Sequence, residues 1–144
     1  MASNWKEIST TWEGDKVFVG VNANGGTVTT GSTEDSSLIS PMELLLVGVA
    51  GCTGVDVVGI LQKKRVSLSD FKINVRGKRA DTYPMVYTEI EVEYLFWSDD
   101  LIAKDAEQAI NLSEDKYCSV SAMLGKTAKL TSTYRIIRPG NSGD

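Results

Sequence analysis

Residues 40–65, SPMELLLVGVAGCTGVDVVGILQKKR, form a long apolar stretch that predicts one continuous helix. Ser40 is a good N-cap, Pro41 is favoured at the first helical position, and Glu43 completes a capping box with Ser40. Three basic residues close the stretch, where the helix dipole is negative. We therefore expect a helix that begins after Ser40 and runs to about Lys64.

The interior of this helix is apolar nearly all round, which is typical of a buried central helix. It also contains four glycines, each of which costs about 1 kcal/mol relative to alanine within a helix. They are Gly48, Gly51, Gly54 and Gly59. Close approach of another helix would explain them, and we expect the same helix of a second subunit, in a homodimer. The competing interpretation, a phosphate-binding loop, lacks the G-x-G-x-x-G spacing.

The flanking sequence predicts an α+β domain. Residues 1–37 are typical of β structure, with an N-terminal β-hairpin around the turn sequence NANGG. A long buried central helix follows, then a second β-hairpin, two helices and a closing strand. The second hairpin covers 71–79 and 87–97, the helices cover 99–112 and 113–124 with Ser113 as the cap of the latter, and the strand covers 129–137. We expect a single domain over 1–138 and a flexible C-terminal tail over 139–144.

Composition excludes several classes of function. The 144 residues carry a net charge of −4, which disfavours nucleic-acid binding. The N-terminus has no basic stretch leading into an apolar one, so we expect a cytoplasmic protein without a signal peptide. A membrane span over 44–61 is disfavoured because Asp56 would be costly there. With 0 histidines and 2 cysteines, neither histidine catalysis nor a zinc site is expected, and no metal or organic cofactor is implied.

The candidate catalytic residues are Cys52 and Cys118, which do not form a C-x-x-C motif. A free cysteine can be a small buried apolar group or a reactive thiol, and reactivity requires an accessible, electropositive setting. Asp56 lies one helical turn after Cys52, and we expect a Lys or Arg to pair with it because buried charges need partners.

Two segments carry a family resemblance. Residues 40–45 running into Gly51-Cys52, together with SEDKYCSV at 113–120, resemble the OsmC-like family of osmotically inducible and organic hydroperoxide resistance proteins. The segments VVGILQK at 57–63 and DKYCSV at 115–120 are most similar to its YhfA-like redox branch. The resemblance implies an OsmC-like fold in an intertwined homodimer, with two active sites at the subunit interface.

The resemblance also implies a chemistry for the two thiols. In the peroxidase members, the thiol that matches Cys52 attacks a small organic hydroperoxide and becomes a sulfenic acid. The thiol that matches Cys118 then condenses with it to a disulfide, which an external dithiol such as a lipoylated protein reduces. A nearby resolving thiol protects a sulfenic acid from further oxidation.

The sequence departs from the peroxidase pattern at the activating residues. Those members use an Arg from the N-terminal β region, whereas the first arginine here is Arg65. Their Glu directly follows the helix-starting Pro, a position that Met42 occupies here. Supporting roles are assigned to Glu43, to Asp56 and to Lys16 as a substitute cation. The alternative is a non-enzymatic dimer that binds a small apolar ligand or senses oxidation, with structural cysteines. A protein-thiol oxidoreductase is disfavoured because the C-x-x-C arrangement is absent.

Overall fold

The computed structural model describes residues 4–32 and 37–140. It forms two compact units, residues 1–45 and 46–144. The prediction of a single domain over 1–138 stays a prediction, and most of the predicted tail, residues 141–144, lies outside the described residues.

The first unit contains an antiparallel sheet in the order β1-β2-β3. Its strands are β1 (Ile8–Trp12), β2 (Val17–Asn22) and β3 (Thr27–Gly31). The predicted hairpin is β2–β3, and its turn is held by Asn22, whose side-chain oxygen accepts the N–H groups of Asn24 and Gly26 at 3.0 and 2.8 Å. The sequence predicts β structure in this region but does not predict β1 as a separate strand. In the structure β1 pairs with β2, so the sheet has three strands.

Helix α1 (Pro41–Lys63) has the predicted bounds and the predicted cap. The Ser40 N–H donates to the Glu43 carboxylate at 2.9 Å, and the Glu43 N–H donates to the Ser40 hydroxyl at 3.1 Å. In the single chain, burial is confined to one face, which carries Val49, Thr53, Val57 and Leu61. The opposite side is open, so the expected burial on all sides is not reached within one chain. By length and composition alone, α1 is also apolar enough to cross a membrane.

The second unit contains a sheet in the order β4-β5-β6, made of β4 (Asp70–Arg79), β5 (Tyr87–Trp97) and β6 (Lys129–Ile137). The pair β4–β5 is the predicted second hairpin, and β6 is the predicted closing strand, which lies parallel to β5. The central strand β5 supplies much of the core, including the fully buried Tyr94 and Phe96. Phe71 stacks on Phe96 at a ring-centroid distance of 4.8 Å.

The segment between β5 and β6 differs from its prediction. Helix α2 (Ala103–Leu112) is followed by a π-helical turn, Ser113–Tyr117, and then by α3 (Ser119–Leu124). The prediction that Ser113 caps the last helix is wrong. Ser113 is fully buried with its hydroxyl bonded to Asp56, so it is not available as a cap. Cys118 is the N-cap of α3 instead, with extended backbone angles.

Candidate functional site

The structure brings the two cysteines together in the second unit. Cys52 lies half-buried in the middle of α1, and Cys118 is buried at the start of α3, with 2% of its surface exposed. Both are free thiols, and Cys52 is close enough to Cys118 to raise the pKa of the Cys118 thiol. Two thiols from distant parts of the sequence therefore interact within the second unit.

The surroundings of Cys118 favour the protonated thiol. Burial raises its pKa above the ordinary value, and the contact with Cys52 raises it further. Ser121 acts in the opposite direction, since its backbone N–H donates to the Cys118 sulfur at 3.3 Å. The net result is a raised pKa, so Cys118 is a neutral thiol at neutral pH.

A chain of hydrogen bonds links the two cysteine-bearing segments. The Ser113 hydroxyl donates to the Asp56 carboxylate at 2.9 Å, and the Ser113 carbonyl accepts the Cys118 N–H at 2.7 Å. Asp56 lies one helical turn after Cys52. In the described part of the chain, the hydrogen-bond partner of Asp56 is this hydroxyl, so the predicted Lys or Arg partner is wrong. The buried serine satisfies the carboxylate and fixes the π turn against α1.

A second carboxylate holds the π turn against the sheet. Glu114 accepts hydrogen bonds from the Tyr94 hydroxyl at 2.6 Å and from the Ser132 hydroxyl at 3.0 Å. Tyr94 also faces Thr53 of α1 and lies close enough to Cys118 to interact with it electrostatically. Burial and the Glu114 carboxylate raise the pKa of Tyr94 far above its ordinary value, so Tyr94 is a neutral phenol and a hydrogen-bond donor.

Sequence reasoning did not assign Tyr94 or Glu114 to the site. Tyr94 occupies an inward position in the alternating strand β5, where an aromatic residue is expected in any core. Glu114 is only four residues before Cys118, and that proximity was the available signal. The strand that its carboxylate meets is set by tertiary packing, and the sequence pattern does not encode that pairing.

The remaining predicted site residues lie in the first unit. The Glu43 carboxylate is engaged in the capping box with Ser40. Lys16 is exposed in the turn before β2, and its carbonyl accepts the Ser32 N–H at 3.1 Å. Their supporting roles stay predictions. Among the described residues, no group of three or more His, Cys, Asp or Glu side chains is arranged to hold a metal ion.

The site and the fold can be compared with known proteins. A family model described as OsmC-like protein matches residues 33–133. The chain belongs to the OsmC-like family. The family assignment predicted from residues 40–52 and 113–120 is thereby confirmed.

Individual relatives of this OsmC-like protein agree with that assignment. It is 32% identical to Protein YhfA of Escherichia coli strain K12 over 126 residues, which cover 88% of this chain and 94% of the relative. A hypothetical protein from Aquifex aeolicus VF5 has a crystal structure with a TM-score of 0.85 and 36% identity, covering 94% of this chain and 98% of the other.

Another solved structure, titled an organic hydroperoxide resistance protein OsmC from Legionella pneumophila, matches with a TM-score of 0.66. It is 13% identical, and the match covers 93% of this chain and 98% of that one. This likeness concerns the fold alone. The α+β OsmC-like fold predicted from the sequence is confirmed, and the family includes hydroperoxide-resistance proteins.

Proposed function

We propose that this OsmC-like protein is a thiol-dependent peroxidase that reduces organic hydroperoxides, with Cys52 as the attacking thiol and Cys118 as the resolving thiol. The proximity of the two free thiols, which interact electrostatically, is the observation that supports this proposal most strongly. Cys52 is the more exposed of the two, so it is the sulfur that a substrate can reach. Cys118 is buried, which suits a group that reacts only with its neighbour.

The proposed cycle has three balanced steps. The Cys52 sulfur attacks the terminal oxygen of the hydroperoxide, the O–O bond breaks, and an alcohol leaves while Cys52 becomes a sulfenic acid. The Cys118 sulfur then attacks the Cys52 sulfur, so an S–S bond forms, the S–O bond breaks and water leaves. An external dithiol reduces the disulfide by thiol–disulfide exchange and is itself oxidised to a disulfide. No metal or organic cofactor takes part in the cycle.

A homodimer is part of the proposal, with the sites at the subunit interface. The open side of α1 carries Val47 and Val55, which are 52% and 75% exposed, and Gly51 lies between them on the same stripe. A Cβ added at Gly51 would meet no atom within 4 Å. An apolar stripe with a glycine at its centre suits close packing against the same helix of a second copy.

The sheet of the first unit supports the dimer independently. The strand register places Ile8, Trp12, Phe18 and Val28 on one face. Their exposed fractions are 66%, 64%, 41% and 44%, respectively. Such a contiguous apolar face is unusual for a monomer and typical of a protein–protein contact. We therefore propose that a second subunit covers this face.

The cation that activates Cys52 is assigned to Lys16. A reactive thiolate requires nearby positive charge, and every arginine of the chain follows residue 64. Lys16 is exposed in the first unit, and we assign it the role of this cation. Glu43 supports the site by fixing the start of α1, and Asp56 supports it by holding the π turn. The proposed compartment is the cytoplasm, where dithiol reductants are available.

A non-enzymatic function is the second candidate, and one observation favours it. Within the described residues 46–140, the side chains that act on Cys118 or Tyr94 are thiols, hydroxyls and the Glu114 carboxylate, with no cation among them. This setting suppresses ionisation of a thiol. The candidate is a dimer that binds a small apolar ligand or senses oxidation, with structural cysteines.

Thiol counting separates the two candidates. Fully reduced protein is mixed with one equivalent of cumene hydroperoxide, and the remaining thiols are counted in the wild type and in Cys52→Ser and Cys118→Ser variants. We expect the wild type to lose both thiols, Cys52→Ser to be inert, and Cys118→Ser to accumulate a sulfenic acid that a dimedone probe traps. Retention of both thiols in the wild type would favour the non-enzymatic candidate.

A further inference from the structure

Ser121 carries a buried hydroxyl that has no hydrogen-bond partner among the described residues. Ser121 is 5% exposed, so solvent does not replace the missing partner. An unpaired buried hydroxyl typically costs about 1–3 kcal/mol, and it therefore calls for an explanation at each position where it occurs. The residues around Ser121 supply that explanation.

The hydroxyl belongs to a residue that is already bonded to the Cys118 sulfur through its backbone. Ser121 is three residues after Cys118, and its backbone N–H already donates to that sulfur at 3.3 Å. Its side chain is near enough to lower the pKa of the Cys118 thiol, against the larger effect of burial. The hydroxyl thus forms no regular hydrogen bond to the neutral thiol, yet it is placed to bond a negatively charged sulfur, which is a stronger acceptor.

We propose that Ser121 is a catalytic residue of the resolving step, in which its hydroxyl donates a hydrogen bond to the Cys118 sulfur as that sulfur becomes negatively charged. The inference rests on the proposed function, because it concerns the second half of that cycle. This role explains why position 121 carries an unpaired buried hydroxyl, which by itself lowers the stability of the fold. Preorganised donors aimed at a developing charge are a common source of catalysis in sites that exclude water.

The resolving step conserves atoms and electrons. Cys118 gives up its proton, and its sulfur attacks the sulfur of the Cys52 sulfenic acid. The S–S bond forms and the S–O bond breaks, and the departing hydroxide takes up the proton and leaves as water. The Cys118 sulfur is oxidised and the Cys52 sulfur is reduced. The Ser121 hydroxyl keeps its proton throughout and stabilises the anion at Cys118 through its hydrogen bond.

Other groups around Cys118 do not provide this stabilisation. Cys52 faces it from α1, and that contact raises the pKa of Cys118. Tyr94 faces it from β5, but its hydroxyl is already committed to Glu114 of the π turn at 2.6 Å. Ser121 of α3 is thus the side-chain donor that remains available at this sulfur in the described residues.

The first test measures Cys118 alone and uses no hydroperoxide. In a Cys52→Ala background, which adds no new donor, Cys118 is the single thiol, and its titration is followed by thiolate ultraviolet absorbance or by the pH dependence of alkylation. We expect Ser121→Ala to raise the midpoint by about one pH unit, since a hydrogen bond to a charged group is worth about that much. Ser119→Ala is the matched control, because Ser119 is exposed on the same helix, and it should leave the midpoint unchanged.

A second pair of variants keeps the proposal testable if Ser121→Ala does not fold. Ser121→Thr and Ser121→Val have nearly the same shape and differ in the hydroxyl. If Ser121→Ala does not fold, the proposal predicts a lower midpoint for the Thr variant than for the Val variant. Equal midpoints in this pair, or an unchanged midpoint in Ser121→Ala, would overturn the proposal.

The second test uses the protein with both cysteines and cumene hydroperoxide. The proposal predicts that Ser121→Ala forms the Cys52 sulfenic acid at the wild-type rate but converts it to the disulfide about tenfold more slowly, a factor that matches one pH unit. An unchanged rate of disulfide formation would overturn the assignment of Ser121. Failure of the proposed function looks different, because the wild type itself would then form no sulfenic acid, while the titration would still report on Ser121.

Discussion

The Ser113 hydroxyl donates a hydrogen bond of 2.9 Å to the Asp56 carboxylate, and this bond joins the π turn to the central helix. Through it, the turn that ends at Cys118 is fixed one helical turn away from Cys52. The thiol pair is therefore positioned by a polar contact in addition to apolar packing.

Removal of the Ser113 hydroxyl should weaken both the fold and the thiol contact. In Ser113→Ala, the half-buried Asp56 carboxylate loses its partner, and we expect a loss of about 1–3 kcal/mol in the free energy of unfolding. Urea denaturation measures this loss, with the exposed Ser119→Ala as the control. A change as small as that of the control would contradict the positioning role of the Ser113–Asp56 bond.

Tyr94 should contribute to stability through its hydroxyl. Tyr94→Phe keeps the ring in the core but removes the donor that bonds Glu114 at 2.6 Å, and we expect a loss of about 2 kcal/mol. Tyr83→Phe is the control, because Tyr83 is 86% exposed and the same hydroxyl is removed there in solvent. Equal stabilities of the two variants in denaturant would argue against the buried Tyr94–Glu114 bond.

Stability should fall at alkaline pH because of Cys118. Its pKa is raised in the folded chain above the ordinary value of a free thiol, so the unfolded chain loses this proton first as the pH rises. The folded state then binds more protons than the unfolded state, and the free energy of unfolding decreases by at most about 1.4 kcal/mol per pH unit from this group.

Cys118→Ala isolates this contribution. Denaturation of the reduced wild type and of the variant is compared between pH 7 and pH 10, and the difference in their free energies of unfolding is plotted against pH. We expect the stability advantage of the wild type to shrink as the pH rises above about 8.5, the usual thiol pKa. A difference that stays constant over this range would show that the Cys118 pKa is not raised by folding.

Gly51 should be required for the dimer but not for the fold of one chain. The space around its missing Cβ is open, so Gly51→Leu meets no atom within 4 Å at that carbon and gains helix propensity. In a dimer with paired α1 helices, the same side chain would separate the subunits. Sedimentation velocity should show a monomer for Gly51→Leu and a dimer for Lys104→Leu, a control on the exposed part of α2. An intact Gly51→Leu dimer would exclude helix pairing at this residue.

The local elements of this fold can be predicted from the sequence because their signals are short-range. The capping box of Ser40 and Glu43 fixes the start of α1, and the turn residues around Asn22 fix the first hairpin. The sequence at 113–124 predicts one helix, whereas the structure has a π turn followed by a shorter helix. The residues of a π turn are of the same types as those of an α-helix, so the sequence pattern does not distinguish the two. The N-cap of α3 is therefore Cys118, and not Ser113 as predicted.

Only the part of the site that depends on short-range signals can be predicted from the sequence. The family motifs identified the two cysteines, but no motif indicates which side chains pack around them. The pairing of Glu114 with Tyr94 joins residues 20 positions apart, and the bond of Ser113 to Asp56 joins residues 57 apart. Such long-range contacts depend on how the helices pack on the sheet. The unpaired hydroxyl of Ser121 is visible only once that packing is known.

The most direct test of the account is the rate at which the reduced wild-type protein consumes an organic hydroperoxide. Stopped-flow mixing with cumene hydroperoxide, followed by peptide mapping of the product, measures both the rate and the bond that forms. We expect a second-order rate constant far above that of free cysteine, loss of this reaction in Cys52→Ser, and a product in which a disulfide joins Cys52 and Cys118. A rate no greater than that of free cysteine, with both thiols intact, would contradict it.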